Sequence, residues 1–510
     1  MRQPKAWWII FIVCALAGAI LVLYATALGI GVSPDSTVYI NVARSWLIRF
    51  GIPLVRGNTS NWVPPGYPML LASSSLALMG QDPFLVARWL GAFLFALNIA
   101  CVGLILHLAL PNSFWTPLLG MGLMLTSISM LTIHTMAWTE PPFVFCSLVG
   151  LLALMRYLEQ PRVRWLLLAA AFIAAGLLIR YVGIALAATA VISILVWSNQ
   201  THWQRIRAAA TFAVLSCAPL VLWSLTHRSD RQLALHVMPP EWFLTAFPTL
   251  VNWFLPAELP LVPFGIALVT LLLITLVLFI ALAKNQTQTT RVELPANPIP
   301  KIVSVSALYI LFYALVFVTS KLVIDADLDL DLRTFAPLFP IVLIALLYIT
   351  HRLLYSTPRQ ANLKITLGGI AVAWSVIYLL AGITWVEQTH REGQWYTSLA
   401  WQQSEIIQQV QALPPTTAII SNGNDAISFL TSRPATRLPD KIRGDSLLAN
   451  PDYATDMQNI SQRLSGDAVL VYLRGFDDRW FLPTEQELIQ QWNLKPIARA
   501  SDGTIYRRAP

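Results

Sequence analysis

Apolar residues in this chain come in long unbroken runs separated by short polar stretches, and do not alternate with polar ones. A helix needs about 20 apolar residues to cross the hydrocarbon core of a bilayer. By that measure the runs predict about eleven spans, near 7–30, 86–110, 114–133, 140–157, 164–179, 182–198, 208–227, 260–283, 302–320, 334–350 and 365–386. The stretch 164–198 is long enough for two helices, and Arg180 and Gly183 in IRYVGI mark the break. The opening segment MRQPKAWWIIFIVCALAGAILVLYATALGI resembles a signal peptide, but its apolar run is longer than a cleaved signal carries. It reads as an uncleaved first span.

Three segments between the spans are more than turns. Residues 31–85 contain an amphipathic stretch, DSTVYINVARSWLIRFG, and then NWVPPGYPMLLA. Residues 228–259 are rich in Trp and Pro. Both predict helices lying in the interface, with aromatic rings at headgroup level. Residues 321–333 form a short charged loop. Beyond 386 the pattern changes. WQQSEIIQQVQAL reads as an amphipathic helix, TTAIIS and DAVLVYLRG as strands, NGNDAISFLTSRP as a turn entering a helix, and PTEQELIQQW as a helix. KPIARASDGTIYRR reads as a hairpin on its Asp-Gly turn. The fold class expected is an α-helical polytopic membrane domain over 1–386, followed by a small α/β domain over 387–510.

Composition supports this. Hydrophobic residues make up 56% of the 510 and charged residues 12%, against about 25% charged in soluble proteins. The net charge of +8 sits mostly in short loops, where it signals topology and not a nucleic-acid partner. With the N-terminus inside, the cytoplasmic segments hold Arg2, Lys5, Arg156, Arg162, Arg164, Arg205, Arg207, Lys284, Arg291, Lys301, Arg352, Arg359 and Lys364. The opposite side holds Asp35, Glu140, Asp230, Glu241, Glu258 and the run Asp325, Asp327, Asp329 and Asp331. The expected setting is therefore a bacterial inner membrane, with the tail domain periplasmic or extracellular. Cys14, Cys101, Cys146 and Cys217 all lie inside apolar runs and read as buried thiols, not a disulfide framework.

The candidate chemistry gathers on that outer side. Asp35, in GVSPDSTVYINVARSW, suits a helix N-cap and equally a carboxylate facing a lipid-borne substrate. Glu140, in HTMAWTEPPF, is an acid at membrane depth, which is costly without a role; it also suits the positive end of a helix dipole. His134 reads as structural. Tyr39, Arg44, Tyr67, Arg180, Tyr181, Lys321 and Arg333 are the candidate substrate-binding residues. The alternation in VIDADLDLDLR makes Asp325, Asp327, Asp329 and Asp331 weak candidates for a divalent cation such as magnesium or manganese; the other reading is a solvated or arginine-paired loop. NGND matches no phosphate-binding loop, so no nucleotide is assigned to it. Carboxylates plus guanidinium groups suit transfer of a sugar from a polyprenyl phosphate: arginine matches phosphate geometry, and a carboxylate can take the acceptor's proton.

The order of TVYINVARSW, VPPGYPMLLA, ARWLGAFLFALNIA, TEPPFVF, AGLLIRYVGIAL and LRTFAPLFP resembles the GT-C glycosyltransferase superfamily. The nearest likeness is to family 39 and its relatives: the protein O-mannosyltransferases, the lipid A aminoarabinose transferase and the RgtA/B/C/D-like membrane proteins. ISNGNDAISFLTSRPATRLP is similar to a tail motif of uncharacterised members. The resemblance covers most of the chain and rests on order more than on any one motif. It implies a polyprenyl-phosphate-sugar donor, a lipid or glycan acceptor, contact with membrane lipid, Asp35 as the acid of the first outer loop, Glu140 as the second, and Arg333 on the donor phosphate. Asp35 is followed by Ser36, without the adjacent second acid of the mannosyltransferases, so a protein acceptor is not implied. The alternative is a transporter, flippase, polymerase or ligase of lipid-linked glycans, or an assembly protein. A transporter places ionisable groups at the bilayer midplane on broken helices, whereas these spans are nearly uncharged at their centres.

Overall fold

The structure is a computed structural model, and it describes residues 6–49, 63–226, 235–236, 241–253, 301–356, 361–443, 446–476 and 479–509. The expected span 260–283 and most of the expected loop 228–259 lie outside these residues.

The apolar runs form helices where the pattern places them. α1 (Ala6–Ala25) is followed by α2 (Pro34–Arg49) and α3 (Gly66–Ala77), then by α4 (Pro83–Ala109), α5 (Trp115–Thr126), α6 (Ile128–His134) and α7 (Glu140–Glu159). Next come α8 (Val163–Ile179), α9 (Ile184–Trp197), α10 (His202–Thr226), α11 (Glu241–Asn252) and α12 (Ile302–Val323). A short α13 (Leu332–Phe335) leads into α14 (Phe339–Ser356) and the long α15 (Ala361–Glu392). Among the described residues six helices are long and apolar enough to cross a membrane, or seven with the bent pair α5–α6. The expected eleven also included α8 and α9, which are shorter, 365–386, which lies within α15 and is not among those counted, and 260–283.

Local chemistry sets the ends. α1 stops at Ala25 and not at 30, because Gly29 turns the chain at φ +111°. α4 starts at Pro83, where the Asp82 carboxylate caps the Phe84 N–H and proline suits the first turn. The expected span 114–133 is bent by 59° at Ser127, whose hydroxyl caps α6. The expected break after α8 is present: Arg180 is extended and a single 3₁₀ turn, Tyr181–Gly183, precedes α9. A Cβ on Gly183 would lie 2.9 Å from the Leu177 nitrogen, so only glycine fits that close return. The two helices in the first loop, α2 and α3, are those expected from its amphipathic pattern.

α15 continues past the expected boundary at 387 and ends at Glu392. The helix expected as one piece is two, α16 (Leu399–Gln402) and α17 (Glu405–Ala412), because Ser404 caps the second. β1 (Ile419–Ser421), α18 (Asn424–Thr431), β2 (Ala435–Arg437), α19 (Tyr453–Leu464), β3 (Val469–Leu473), α20 (Glu485–Trp492), β4 (Leu494–Ala500) and β5 (Gly503–Arg508) complete the tail. The sheet order is β2-β1-β3-β5-β4, parallel on the β1 side and antiparallel on the hairpin side. Side chains alternate between its faces. Ile419, Val469, Val471, Leu473 and Ile505 join a core that also contains Tyr39, Ile40, Leu47 and Tyr67 from α2 and α3. Ile420, Leu470 and Tyr506 face Met457, Ile460 and Leu488 on the other side. The first loop is thus packed between the helical bundle and the tail.

Close helix approaches make a testable contrast. A Cβ on Gly91 in α4 would lie 2.5 Å from the His134 carbonyl oxygen, whereas one on Gly122 in α5 meets nothing within 4 Å. Gly91→Ala should lower stability by roughly 1–3 kcal/mol. Gly122→Ala should be neutral or stabilising, since alanine is favoured over glycine in a helix by up to about 1 kcal/mol. Thermal midpoints of the two purified variants check this.

Candidate active site at the tail-side ends of the helices

Four charged side chains from four distant parts of the chain meet at the end of the bundle that carries the tail. Glu140 opens α7 and is fully buried. Its Oε1 accepts a bond from Arg333 Nε at 2.6 Å and another from Arg180 Nη1. Arg180 also donates to the Thr139 hydroxyl at 2.8 Å. Arg333 Nη1 donates to Asp35 Oδ2 at 2.5 Å and Nη2 to the Tyr39 hydroxyl at 3.4 Å. The Arg333 guanidinium lies 4.8 Å from the centre of the Trp138 ring, a cation–π contact. Two acids and two arginines leave the cluster with no net charge.

Each is placed by the chain that carries it. Arg180 reaches Glu140 from the interruption between α8 and α9. Arg333 projects from the short α13, whose first turn is capped by Asp331 through the Thr334 N–H at 2.7 Å. The Tyr313 hydroxyl donates to the Thr334 carbonyl at 2.8 Å and fixes the same turn. Behind Glu140, the Asn98 amide donates to the Pro141 carbonyl at 3.1 Å and to His134 Nε2 at 2.9 Å, while His134 Nδ1 donates to the Met130 carbonyl. His134 has the structural place expected of it.

Asp35 is not the cap of α2. Ser33 precedes the helix and its hydroxyl accepts from the Ser36 N–H, from Trp138 Nε1 at 2.8 Å and lies 3.1 Å from the Ser36 hydroxyl. The indole fixes Ser33 as the cap, so Asp35 sits in the first turn with its carboxylate turned to Arg333. Its side chain is 38% exposed, against none for Glu140. Tyr39 is buried one turn further on, edge-to-face with Tyr67 at 5.5 Å. Burial and the Asp35 charge push the Tyr39 hydroxyl up to about 12; burial also raises Tyr67. Both stay neutral hydrogen-bond groups at any working pH.

The other candidates lie elsewhere. Arg44 makes a two-pronged pair with Asp82, 2.9 Å on each arm, and braces α2 against the start of α4. Lys321 points into its own loop, donating to the Ala326 and Leu328 carbonyls at 2.5 and 3.0 Å, with the Trp242 ring beside it. Tyr181 is exposed on the turn beside Arg180. In the acidic run, Asp331 caps α13, and Asp325 accepts from the Asp327 N–H at 3.2 Å. Burial and the neighbouring Asp329 and Asp325 raise the Asp327 carboxyl. Among the described residues no group of three His, Cys, Asp or Glu side chains is placed to hold a metal ion.

Sequence reasoning overlooked Trp138, Thr139, Asn98 and Ser33. Asn98 carried a signal, as a polar residue inside an apolar run; Trp138 and Thr139 adjoin Glu140 in the sequence.

An apolar cavity of about 1050 Å³ lies between α3, α4, α7 and α8, with Trp46 and Trp223 closing one side. Gly66 and Ile179 in its wall are the chain neighbours of Tyr67 and Arg180, and Pro142 lies in the first turn of α7. The cavity wall is apolar and none of the four charged side chains lines it; it adjoins the site through these chain neighbours.

Removing the Glu140 charge leaves two arginines facing one half-exposed acid. Losing one partner of a buried ion pair costs about 3–5 kcal/mol, so Glu140→Gln should sharply lower the thermal midpoint and folded yield. Asp35→Asn, at the exposed edge, should keep both near wild type. Size-exclusion profiles and thermal melts in detergent separate the two.

Residues 63–223 match the family described as dolichyl-phosphate-mannose-protein mannosyltransferase. No protein of curated function matches the chain. Among solved structures, the chain is similar to ArnT from Cupriavidus metallidurans bound to undecaprenyl phosphate, with TM-score 0.61, 13% identity, and 99% of this chain and 98% of that one covered. The apo state of the same protein gives TM-score 0.58 at 12% identity, covering 98% of each chain. The Archaeoglobus fulgidus oligosaccharyltransferase in complex with zinc and sulfate gives TM-score 0.50 at 11% identity, covering 98% of this chain and 73% of that one. This chain is a multi-pass membrane protein with the ArnT-like fold of the GT-C glycosyltransferases.

Proposed function

We propose that the protein transfers a sugar from a polyprenyl-phosphate donor to a lipid or glycan acceptor at the outer face of a bacterial inner membrane. The observation that carries this reading is the carboxylate–guanidinium cluster, in a helical bundle that also holds a large apolar cavity whose wall includes Gly66, Pro142 and Ile179, near neighbours in the chain of Tyr67, Glu140 and Arg180. An apolar cavity of that size takes an isoprenoid or acyl chain, and the arginines of the cluster take a phosphate. The ArnT structure similar to this chain holds undecaprenyl phosphate, which supports a lipid phosphate as ligand.

The charge balance suggests an order of events. The cluster is neutral before a ligand arrives, so a donor phosphate reaches Arg333 by taking the place of a carboxylate. Glu140 is buried and saturated by two guanidiniums; Asp35, half-exposed and held by Arg333 alone in the cluster, is the one that yields. Asp35 is then free to accept the proton of an acceptor hydroxyl. The acceptor oxygen bonds to the sugar carbon, the carbon–oxygen bond to the phosphate breaks, and the polyprenyl phosphate leaves as an anion beside Arg333 and Arg180. Attack opposite the leaving group inverts that carbon, as a base-assisted single displacement does in inverting glycosidases. Glu140 positions the arginines and touches no reacting atom. Tyr39 accepts from Arg333, which leaves its own proton to donate to the sugar or phosphate.

Purified protein offered a panel of polyprenyl-phosphate sugars should consume at least one of them, and Asp35→Asn should cut turnover by about 100-fold or more. Full activity of Asp35→Asn would remove that residue from the mechanism. Arg333→Lys keeps the charge but loses the forked geometry; it should raise the donor KM more than the acceptor KM.

Filling the cavity tests its role separately. Ala175→Trp should raise the KM for a long-chain donor several-fold, while a short-chain water-soluble analogue is used as before. Equal effects on both donors would place the lipid elsewhere.

A further inference from the structure

The segment that carries Asp35 is laced between two others. Residues 30–33 form the middle of a short parallel ladder, with Gly31 paired to Met136 on one side and Val32 to Trp395 on the other. The Gly31 N–H donates to the Thr135 carbonyl at 2.8 Å, the Ala137 N–H to the Gly31 carbonyl at 2.9 Å, and the Tyr396 N–H to the Val32 carbonyl at 3.1 Å. Side chains add to it: the Thr135 hydroxyl donates to Gln394 Oε1 at 3.0 Å and the Thr397 hydroxyl to the Ile30 carbonyl at 3.2 Å. The first two segments lead directly into Asp35 and Glu140. The third belongs to neither helix, since it is the entry to the tail, and its Trp395 has φ +49°. A bulky residue keeps that backbone only where its surroundings impose it.

Those surroundings are supplied by the tail. The buried Tyr396 hydroxyl donates to Asp425 Oδ2 at 2.7 Å. Asp425 accepts both arms of Arg479 at 2.9 Å each, and Arg479 also donates to the Asn422 carbonyl at 2.5 Å and lies 4.1 Å from the centre of the Phe476 ring. Asn422 ties β1 to the end of β3, its amide donating to the Leu473 carbonyl at 2.7 Å and its oxygen accepting from the Leu473 N–H at 2.8 Å. Burial opposes the Asp425 charge, but the Arg479 bonds outweigh it and hold the carboxyl below its ordinary range. Burial and Asp425 push the Tyr396 hydroxyl up. The donor stays protonated and the acceptor ionised.

We propose that Tyr396, Asp425 and Arg479 form a brace through which the tail domain positions Asp35 for the reaction. They are positioning residues, acting through the ladder strand 394–397 on the strand that ends in Asp35. The Asn-Gly-Asn-Asp segment, Asn422 to Asp425, thereby gains its role as the corner of the brace. The kinetic half of this inference rests on the transfer reaction proposed above; the structural half does not.

The test uses the full chain in lipid nanodiscs, with Tyr396→Phe, which removes one hydroxyl and keeps the ring, and Arg479→Lys. Backbone hydrogen exchange at Gly31, Ala137 and Tyr396 should quicken about tenfold, the loss expected for a hydrogen bond to a charged group, while the amides of α4 and α7 exchange as in wild type. For a polyprenyl-phosphate sugar, kcat should fall about tenfold with the donor KM within about twofold. A folded Tyr396→Phe with wild-type exchange at the three amides overturns the brace. Quickened exchange with unchanged kcat overturns its effect on Asp35. If Arg479→Lys does not fold, Tyr396→Phe alone decides. Wild type inert towards every polyprenyl-phosphate sugar sinks the proposed reaction, and the exchange rates still decide the brace.

Discussion

A carboxylate without access to solvent, Glu140, lies between two guanidinium groups, and the architecture around it follows from the need to keep it paired. An isolated buried charge costs far more than a folded protein's margin of stability. Its partners must therefore arrive wherever the chain can deliver them. Arg180 reaches it only because α8 stops at Ile179 and the chain runs extended for one residue before the 3₁₀ turn. Arg333 reaches it because α13 is a separate short turn before α14. The interrupted helix and the short helix are consequences of one ion cluster. Asp35, at its edge, is the member that solvent or a ligand can reach.

Much of this was legible in the sequence, for identifiable reasons. Bilayer thickness fixes span length, so unbroken apolar runs announce helices whatever they pack against. An arginine inside such a run announces a break, which located the end of α8. The pairing of residues 35, 140, 180 and 333 was not legible: all four read as lying on one face, but nothing local specifies which acid meets which arginine. Arg44 shows the limit. It stands nine residues from Asp35 in the sequence and belongs to another pair, because Asp82 caps α4 just where α2 crosses it. Ser33 and Asp35 both suit a cap, and the choice is made by the indole of Trp138 a hundred residues later. The acidic run likewise alternates as a strand would, yet wraps around Lys321, whose ammonium gathers the loop's carbonyls.

In the tail, the strands with strong apolar character and the Asp-Gly hairpin were readable. β2 has three residues, half-buried or exposed, and offers too little pattern to detect. α19 was missed although Met457, Ile460 and Leu464 recur at helical spacing, because the segment between them is polar. That the tail and the first loop share one core was not readable at all. It depends on Ile419, Val469 and Ile505 facing the same way as Tyr39 and Leu47 across a domain boundary, and a sheet's choice of face is made by its partner.

The shared core bears on how such a site stays ordered beside lipid. Asp35 is carried by a helix with one side against the bundle and the other against the tail, so neither domain alone fixes it. On the proposed reaction Asp35 is a base, which has to be held within about 0.5 Å of its productive position relative to the proton it takes, and a segment tethered only by its entry from α1 would not hold that tolerance. The ladder of residues 30–33, 135–138 and 394–397 supplies the restraint from three directions: from α1, from the turn before Glu140, and from the tail. On the proposed reaction, the two acids thus have opposite requirements met by one arrangement. Glu140 is immobilised by burial and two arginines, while Asp35 keeps a fixed backbone and a side chain held by a single guanidinium that an arriving phosphate can claim.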